Sequence, residues 1–371
     1  MEILVVNAGS SSLKLRLVGD ADELLAAADL PAVDRLAAGE LDGALEQLRA
    51  DSGSRAAAVG HRIVHGGARF SAAVRIDPDV SAALRGLTDL APLHQPKSLE
   101  ALDVVTAALP DIPAVACFDT SFHSTMADSV YTYAVPREWQ ERYGVRKYGF
   151  HGLSHAYCSA RVAQLLGRSG LRVISCHLGA GASLAAVVDG RCVDTTMGFT
   201  PLDGLVMATR SGSIDPGLVL WLEEHERLRP PEIADALEHR SGLLALAGTA
   251  DMRDVQSRAA AGDEAARLAL GVYLHRLVTS IGAMAAAAGG VDALAFTGGV
   301  GEHAPAIRAA VAERLAHLGI AVDEPLNTAA DGDLDVSSRS ARARTLLITA
   351  REDLQIARET RHLLWPAAAP R

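Results

Sequence analysis

The chain has 371 residues, of which 49% are hydrophobic and 22% charged, a balance typical of a folded globular protein and not of a disordered one. The net charge is −10 and the sequence contains no basic stripe, which excludes a broad nucleic-acid-binding surface, so a few local cations must hold any anionic ligand. This length exceeds what one ordinary core needs and predicts two domains or one large one.

The cysteines and the apolar stretches indicate a cytoplasmic protein. The four cysteines have neither Cys-x-x-Cys nor zinc-finger spacing, which favours reduced, buried thiols. The chain opens on a strand-like segment without a basic leader, so we expect no signal peptide. The most apolar long stretch, residues 272–290, contains His275 and Arg276, and we interpret it as a buried helix, not as a membrane span.

Two segments half a chain apart share a strand–turn–strand pattern. Residues 3–6 are apolar, residues 7–12 are turn formers, and residues 13–18 alternate apolar with basic side chains, the period of a half-buried strand. Residues 172–188 repeat this order around a glycine- and alanine-rich turn. The repeat suggests two related domains that arose by internal duplication.

The remaining patterns alternate between strands and helices. Buried strands are predicted at residues 59–64, 114–118, 293–297 and 345–349, and helices at residues 98–109, 230–239, 263–288, 305–318 and 352–364. This alternation predicts α/β architecture. Residues 20–51, rich in alanine and acidic side chains, match no motif, and we interpret them as a variable surface segment.

The first turn has the composition of an anion-binding loop. Between Asn7 and Lys14, small residues let backbone N–H groups approach an anion, the serines add hydroxyl donors, and Lys14 adds a positive charge. A plain hairpin turn would have a similar composition. Neither Gly-x-x-x-x-Gly-Lys-Ser/Thr nor a Gly-x-Gly-x-x-Gly helix start occurs, so the common nucleotide motifs do not apply.

Arg62 and Asp119 are charged residues placed in, or directly after, apolar strands. A buried guanidinium is costly unless it is paired, and it can hold a carboxylate or a phosphate through two parallel hydrogen bonds. An internal salt bridge is the alternative explanation of Arg62. Asp119 follows the strand at 114–118, and ligands of α/β sheets bind at such strand ends.

Two further segments carry candidate site residues. His151 and His155 are four residues apart, but no glutamate lies between them, so a hydrogen-bonding histidine in a glycine-rich turn is favoured over a zinc ligand. Arg210 follows the glycine- and threonine-containing loop 195–205 and offers a second, mobile cation.

The C-terminal third offers a nucleotide site and a candidate metal ligand. The strand at 293–297 runs into a glycine-rich turn ahead of a helix, a common place for a nucleotide. Glu352 is either a metal-binding carboxylate or a charge that caps a helix.

In chain order these segments resemble the acetate kinase family, in the acid-kinase branch of the superfamily that contains sugar kinases, Hsp70 and actin. Each motif is weak alone, but a dozen in family order between residues 3 and 359 is specific. The matching segments are residues 7–14, 60–67, 91–94, 118–126, 148–155, 177–183, 194–205, 209–216, 241–244, 251–253, 296–302 and 352–359.

The resemblance implies an α/β fold of two duplicated ribonuclease-H-like, actin-like ATPase domains around a central cleft. The N-terminal domain, residues 1–150, would be the substrate side, and the C-terminal domain, residues 151–355, the nucleotide side. The helix at about residues 356–371 would pack back on the first domain. A homodimer is the assembly that the family implies.

The resemblance also implies reversible, Mg²⁺-dependent transfer of the γ-phosphoryl group of ATP to acetate, giving acetyl phosphate and ADP, with Mn²⁺ as an alternative metal. The implied catalytic residues are Asp119, His151 and Arg210, and the implied metal ligands are Asn7 and Glu352. The substrate would contact Arg62 and a small apolar pocket formed by Val64, Leu93, Phe150 and Pro201. The nucleotide would contact Ser10, Ser12, Lys14, His177, Gly179, Ala180, Gly181, Asp251, Met252, Arg253, Gly299, Val300, Gly301, Glu302 and His303.

The chain departs from the family pattern at four positions. Ala180 stands where the family loop has an asparagine, which removes an amide that faces the phosphates, and His303 replaces an asparagine near the adenosine. Gln95 and Ser213 replace an asparagine and an aspartate. Because the implied catalytic and metal residues are retained, we expect activity.

Three alternatives stay open. A propionate or butyrate kinase would need a wider pocket than Val64 and Phe150 suggest, although one methylene changes binding by only about 1–3 kcal/mol. Pyrophosphate is a less favoured donor because Gly299 retains an open turn for a nucleotide. A non-catalytic, nucleotide-switched protein of the actin or Hsp70 kind would not need both Arg62 and Arg210.

Overall fold

The computed structural model describes residues 1–9, 12–37, 39–90 and 95–366 of the chain. Ser10 and Leu93, two of the predicted site residues, lie outside this part. The chain forms two compact units. The first comprises Met1–Ser124, Phe150–Tyr157 and the segment from Arg351 onward, and the second comprises Thr125–Gly149 and Cys158–Ala350.

The described chain contains two six-stranded sheets. Their strands are β1 (Ile3–Ala8), β2 (Ser12–Val18), β3 (Leu24–Pro31), β4 (Ala58–Ile63), β5 (Val74–Arg75), β6 (Ala114–Phe118), β7 (Arg172–Leu178), β8 (Ala182–Val188), β9 (Arg191–Thr195), β10 (Ala293–Thr297), β11 (Leu334–Asp335) and β12 (Arg344–Leu347).

Most of the long connections between strands contain helices. They are α1 (Glu40–Ser52), α2 (Pro78–Arg85), α3 (Gln95–Ala108), α4 (Asp128–Tyr131), α5 (Arg137–Tyr143), α6 (Gly152–Leu166), α7 (Pro216–His225), α8 (Pro230–His239), α9 (Gly242–Ala247), α10 (Met252–Ala260), α11 (Glu264–Ala287), α12 (Gly298–His303), α13 (Pro305–Arg314), α14 (Glu324–Ala329) and α15 (Glu352–Leu364).

The first unit contains a mixed sheet with the strand order β3-β2-β1-β4-β6-β5. β1, β4 and β6 are parallel neighbours, whereas β2, β3 and β5 pair antiparallel with their neighbours. Parallel strands point their carboxyl ends toward the same edge of a sheet, so residues at the ends of β1, β4 and β6 come together there.

Helices cover both faces of this sheet. On one face, Leu4 and Val59 belong to the same buried cluster as Val105 of α3. On the other face, α15 lies against β1 and β4. A Cβ added to Gly60 would come within 2.5 Å of Thr360 Oγ1, so the glycine lets α15 approach β4 closely.

Residues 20–51 do not form the variable surface segment that their sequence suggests. β3 is the edge strand of the first sheet and pairs with β2. α1 buries Leu41 and Leu48 in the core of the first unit. The surface interpretation was wrong because apolar residues such as Leu24 and Ala27 also occupy exposed positions, which leaves little contrast between the buried and exposed faces of this segment.

The second sheet repeats the topology of the first. Its order is β9-β8-β7-β10-β12-β11, in which β7, β10 and β12 are parallel neighbours and the other pairs are antiparallel. Each strand therefore has a counterpart with the same neighbours and direction in the first sheet. This match confirms the predicted α/β fold with duplicated sheets.

Within the described residues, one helix, α11, is long and apolar enough by length and composition to cross a membrane. Its face that includes Tyr273, Leu277 and Ile281 is buried, and it packs against β8 and β9. α11 is thus part of the core of the second unit, as the sequence suggests.

Candidate active site

Three polar residues meet at the carboxyl edge of the first sheet. Asn7 lies at the end of β1, Arg62 lies near the end of β4, and Asp119 directly follows β6. These strands are parallel neighbours, so their registers bring the three side chains into contact.

Arg62 and Asp119 form a buried, two-pronged ion pair. Arg62 Nη2 donates to Asp119 Oδ2 at 2.6 Å, and Nε donates to Oδ1 and Oδ2 at 3.1 and 3.2 Å. The Asp119 side chain is only 1% exposed. A planar guanidinium matched to a carboxylate in this way fixes the orientation of both groups.

Asn7 links this ion pair to Glu352, the first residue of α15. The Asn7 side-chain oxygen accepts from Arg62 Nη1 at 3.2 Å, and its Nδ2 donates to Glu352 Oε2 at 3.0 Å. One amide therefore spans the gap between the guanidinium and the glutamate. Asn7, Arg62, Asp119 and Glu352 are called the arginine cluster below.

The acidic neighbours in the arginine cluster offset the burial of the Arg62 charge. Burial alone would lower the pKa of the Arg62 guanidinium, but the negative charges of Asp119 and Glu352 together outweigh burial and raise that pKa above its ordinary value. Burial raises the pKa of the Asp119 carboxyl, Arg62 opposes this rise, and the charge of Glu352 adds to it. The site thus combines a permanent cation with two closely spaced acids.

The donor atoms of the arginine cluster suit a hard divalent cation. Mg²⁺ prefers oxygen ligands and usually takes one or two carboxylates together with water and phosphate oxygens. Glu352 and Asn7 supply a carboxylate and an amide oxygen, with the Asp119 carboxylate close by. Within the described residues no group of three or more His, Cys, Asp or Glu could hold a metal ion, so a site here would depend on the ligand phosphates as well.

His151 stands beside Asp119 in a strained backbone conformation. Its φ of 56° lies in the left-handed region, which costs a non-glycine residue free energy and is often found at functional sites. The next residue, Gly152, donates its N–H to the backbone oxygen of Asp119 at 2.8 Å. The preceding residue, Phe150, has its carbonyl within 2.9 Å of His123 Nε2. These contacts hold the turn that carries His151.

Two of the predicted pocket residues are buried in the first unit. Val64 is 8% exposed and Phe150 is 1% exposed. The ring of Phe150 meets the ring of His65 edge to face, with centroids 5.4 Å apart. Leu93 lies outside the described residues, and Pro201 is buried in the second unit.

Arg210 lies in the second unit with different partners. Its Nη1 donates to the carbonyl oxygen of Pro201 at 3.1 Å, and its Nε is 3.3 Å from Glu238 Oε2. Burial lowers the pKa of the Arg210 guanidinium, and the charge of Glu238 opposes this shift. Arg210 is therefore a mostly buried cation with a single acidic partner among the described residues.

The turn between β7 and β8 is the second-unit counterpart of the turn between β1 and β2. Gly179 N donates to the oxygen of Gly181 at 2.9 Å, and Ala180 at the tip is exposed. The oxygen of Ala180 accepts from Ala208 N at 3.2 Å, which ties this turn to the loop that carries Arg210. His177 lies in β7 and is half-buried.

In the first unit, Lys14 and Ser12 lie on β2, where Lys14 is exposed and pairs in register with Asn7. Gly9 N donates to Ser12 O at 2.8 Å and closes the hairpin. The charge of Lys14 is thus presented at the same end of the sheet as the arginine cluster.

The glycine-rich segment after β10 forms a short helix, α12, and not the open turn that its sequence suggests. Glu302 Oε1 accepts from Gly298 N and from Ala350 N, both at 3.0 Å, so this carboxylate braces the helix. A Cβ added to Gly299 would meet no atom within 4 Å. The fold itself does not require a glycine there, and the open space suits the close approach of a ligand.

The other predicted nucleotide residues lie on nearby segments of the same unit. Asp251 caps α10, where its Oδ1 accepts from Arg253 N at 2.9 Å, and the two side chains form an exposed ion pair. Met252 is buried, whereas His303 at the end of α12 is exposed. Val300 and Gly301 lie within α12.

Sequence reasoning missed Arg308, whose side chain holds α12 through hydrogen bonds to its backbone. Arg308 is 1% exposed, and its guanidinium donates to the carbonyl oxygens of Gly301 and Glu302, both at 2.8 Å. It also donates to Asn327 Oδ1 at 2.8 Å. The available signal was an arginine directly after the apolar Ile307 in a helical pattern. The sequence does not show that the guanidinium binds backbone oxygens.

Two sheets of matching topology, with polar side chains at the carboxyl edge of the first, define a protein of the duplicated ribonuclease-H-like, actin-like ATPase fold. Comparisons with known proteins narrow this class. The family model described as the Acetokinase family matches residues 32–358. The chain is 40% identical over 395 residues to the acetate kinase of Carboxydothermus hydrogenoformans, covering 98% of this chain and 99% of that protein.

Comparison with solved structures points to the same family. The Porphyromonas gingivalis acetate kinase has a TM-score of 0.89 and 36% identity, covering 98% of this chain and 99% of that one. A propionate kinase from Francisella tularensis also has a TM-score of 0.89 and 36% identity, covering 96% and 98%. The chain belongs to the acetokinase family, and the family resemblance seen in the sequence is confirmed.

Proposed function

We propose that the protein is an acetate kinase that transfers the γ-phosphoryl group of ATP to acetate and runs the reverse reaction from acetyl phosphate and ADP. The observation that carries the proposal is the arginine cluster, a paired guanidinium next to an oxygen donor set suited to Mg²⁺. It lies in a chain that aligns over nearly its full length with a relative named acetate kinase.

The acceptor needs charge neutralisation more than it needs a base. An acetate oxygen forms a bond to the γ-phosphorus as the bond from that phosphorus to the β–γ bridging oxygen breaks, and ADP leaves with those electrons. No proton has to move, because acetate is already an anion. Asp119, which accepts three hydrogen bonds from Arg62, is suited to align that guanidinium and not to abstract a proton.

Arg62 and Arg210 would bind the acid and the transferring phosphoryl group. Each guanidinium can present parallel N–H donors to a carboxylate or a phosphoryl oxygen, which offsets the repulsion between two anionic substrates. His151, held in a strained turn next to Asp119, would donate a hydrogen bond to the phosphoryl oxygens as their charge spreads. Asp119, His151 and Arg210 are the proposed catalytic residues, and Arg62 is a proposed contact of the substrate.

The nucleotide would bind to the glycine-rich segments of the second unit. The Gly179–Gly181 turn with His177 would contact the phosphates, aided by Lys14 and by Ser12 and Ser10 of the first unit. Adenosine would lie along Gly299, where the fold leaves open space, and beside His303. Asp251, Met252 and Arg253 at the start of α10 would border it.

Glu352 and Asn7 would hold Mg²⁺, with Mn²⁺ as an alternative metal. When bound, the metal neutralises phosphate charge and holds the γ-phosphoryl group for in-line transfer. Asn7 also fixes the Glu352 carboxylate through its Nδ2, so it contributes to the metal site by orientation as well as by its oxygen.

Acetate is the preferred acid in this proposal because the buried Val64 and Phe150 would line a small apolar pocket, which Pro201 and Leu93 would complete. One additional methylene is worth about 1–3 kcal/mol, so propionate would be a poorer substrate and not an excluded one. The similarity to a protein titled propionate kinase makes propionate the second candidate to test.

We also propose a cytoplasmic homodimer. All four cysteines are buried thiols that form no disulfide, which suits a reducing compartment where ATP is available. Light scattering after size-exclusion chromatography would give about twice the 38.8 kDa chain mass for a dimer. A mass of one chain would reject the dimer without affecting the proposed reaction.

The decisive test is a hydroxamate assay for acyl phosphate with Mg-ATP and acetate, propionate or butyrate in turn. We expect product with acetate at the highest kcat/KM, less with propionate, and almost none in the Arg210→Ala variant. A faster reaction with propionate would rename the substrate. No product with any acid, in a protein that binds ATP, would contradict the proposed function.

A further inference from the structure

The side chain of Glu238, in the last turn of α8, is a carboxylate already placed on Arg210. Glu238 Oε2 lies 3.3 Å from Arg210 Nε, and the two side chains are 13% and 19% exposed. Arg210 Nη1 donates a hydrogen bond to the carbonyl oxygen of Pro201. The guanidinium that we assign to the acid substrate therefore has a carboxylate of the protein itself as its counter-ion.

This contact is weaker than the comparable one in the first unit. Arg62 donates to both oxygens of Asp119, with its shortest hydrogen bond at 2.6 Å. Arg210 approaches Glu238 with one nitrogen at 3.3 Å, and its guanidinium hydrogen bonds go to Pro201 O and to the Met207 sulfur. An ion pair whose shortest N···O distance is 3.3 Å is easier for another carboxylate to replace than one with hydrogen bonds to both carboxylate oxygens.

The backbones of the two residues are fixed, so only side chains can exchange. Ser211 N donates to Leu237 O at 3.1 Å, and Ser241 N donates to Thr209 O at 2.9 Å. Thr209 Oγ1 donates to Glu238 O at 2.8 Å. These bonds join the end of α8 to the residues on either side of Arg210, so Glu238 cannot leave by movement of the helix.

The charges favour exchange for another anion and not simple release. Burial disfavours an isolated guanidinium, so Arg210 needs a negative partner at all times. A small carboxylate that reaches the guanidinium supplies that partner and frees Glu238 to turn toward water at the end of α8.

We propose that Glu238 sets the affinity for the carboxylate substrate by competing with it for Arg210. The contact between Glu238 and Arg210 breaks when the substrate binds. The inference rests on the proposed function, since it takes Arg210 as a contact of the acid substrate. Glu238 thereby weakens acetate binding and balances the charge of the buried Arg210 guanidinium between turnovers.

The test is Glu238→Gln, which keeps size and shape and removes the charge. We expect the KM for acetate to fall about three- to tenfold, because substrate no longer competes with a charged partner, while kcat stays within about twofold. Glu232→Gln is the matched control, since it removes an acid of the same helix that pairs with Arg229 and not with Arg210. The control should leave the KM for acetate unchanged.

An unchanged or raised KM in Glu238→Gln would overturn the inference, because a residue that only orients Arg210 would lose affinity when its charge is removed. If Glu238→Gln does not fold, Glu238→Asp replaces it. The shorter acid keeps the charge but reaches Arg210 less well, and the KM should fall by a smaller factor.

Calorimetric titration of acetate into wild-type and Glu238→Gln protein separates this inference from the proposed reaction. The dissociation constant should fall by the same factor as the KM. A wild-type protein that binds acetate but forms no acyl phosphate would reject the proposed function, and the ratio of the two dissociation constants would still decide the role of Glu238.

Discussion

The two arginines that we assign to the acid substrate are held in opposite ways. Arg62, in the first unit, donates three hydrogen bonds to the buried carboxylate of Asp119. Arg210, in the second, meets one carboxylate oxygen of Glu238 at 3.3 Å. Acidic neighbours raise the pKa of Arg62 despite its burial, whereas burial lowers the pKa of Arg210.

The difference follows from the elements that carry the residues. Arg62 and Asp119 belong to adjacent parallel strands, whose register fixes both backbones within one sheet. Arg210 lies in a loop, and its acidic partner ends a helix. In this account Arg62 is a fixed cation that anchors the substrate. Arg210 is an exchangeable cation that becomes available when the substrate arrives.

The largest effect is expected from Arg62→Ala. Loss of this guanidinium should lower kcat about 10²–10³-fold in the hydroxamate assay. It should also lower the free energy of unfolding by about 3–5 kcal/mol, because the Asp119 carboxylate stays buried without its partner. Arg210→Ala should lose similar activity with a smaller loss of stability, since Glu238 can turn toward water. Equal urea midpoints for the two variants would break the comparison.

Glu352→Gln tests whether the arginine cluster holds the metal. The Mg²⁺ concentration for half-maximal activity should rise about 10–100-fold, because a neutral amide replaces the ligating charge. The KM for acetate at saturating Mg²⁺ should change much less. An unaltered Mg²⁺ requirement would return Glu352 to the role of a helix-capping charge.

Gly242→Ala tests the backbone that positions Arg210. Gly242 has a φ of 64°, and a Cβ there would collide with the carbonyl oxygen of Met207 and lie 2.8 Å from that of Arg210. We expect a loss of about 1–3 kcal/mol in unfolding free energy and a raised KM for acetate. Gly248→Ala is the control, because Gly248 has a φ of 73° with no atom within 4 Å of the added carbon.

The control carries the backbone strain without the collision, so it should cost about 1 kcal/mol and leave the KM for acetate unchanged. A similar KM change in both variants would mean that strain in α9, and not the position of Arg210, controls acetate binding.

The smallest effect concerns His61, the neighbour of Arg62 on β4. It is 1% exposed, and within the described residues neither ring nitrogen has a hydrogen-bond partner. Burial lowers its pKa from 6.5 to about 3. The unfolded chain therefore binds an extra proton between these values, and His61 destabilises the fold as the pH falls below 6.5.

His61→Leu should raise the free energy of unfolding by about 1 kcal/mol at pH 7.5, since it removes an unpaired buried polar group. At about pH 5.5 the gain should be larger by a further ~1.4 kcal/mol. Urea unfolding at the two pH values measures both. A gain that does not depend on pH would mean that His61 is not the group that titrates.

The parts of the site that lie on strands could be predicted from sequence. Arg62 lies within an apolar strand and Asp119 directly follows another. Each is an unusual position for a charge, and each can be recognised from the sequence of one strand alone. The role of Arg62 was left open between an internal salt bridge and a ligand site, and the structure contains a salt bridge from Arg62 to Asp119.

The parts that depend on loops and helix ends could not be predicted. Glu238 is one acid among many in an ordinary helical pattern, and only the hydrogen bonds between residues 207–211 and 237–244 bring it to Arg210. Arg308 binds backbone oxygens, which leave no trace in the sequence. β3 and α1 were missed because apolar residues also lie at exposed positions of the segment, such as Leu24 and Ala27, so the inward and outward faces differ little in sequence.

The most direct test of a fixed and an exchangeable arginine is a crystal structure with Mg²⁺, acetate and a non-hydrolysable ATP analogue. The account predicts that Arg62 keeps its hydrogen bonds to Asp119 while Arg210 leaves Glu238 and contacts the acetate. An Arg210 that still lies on Glu238 with acetate bound elsewhere, or an Arg62 that has left Asp119, would contradict it.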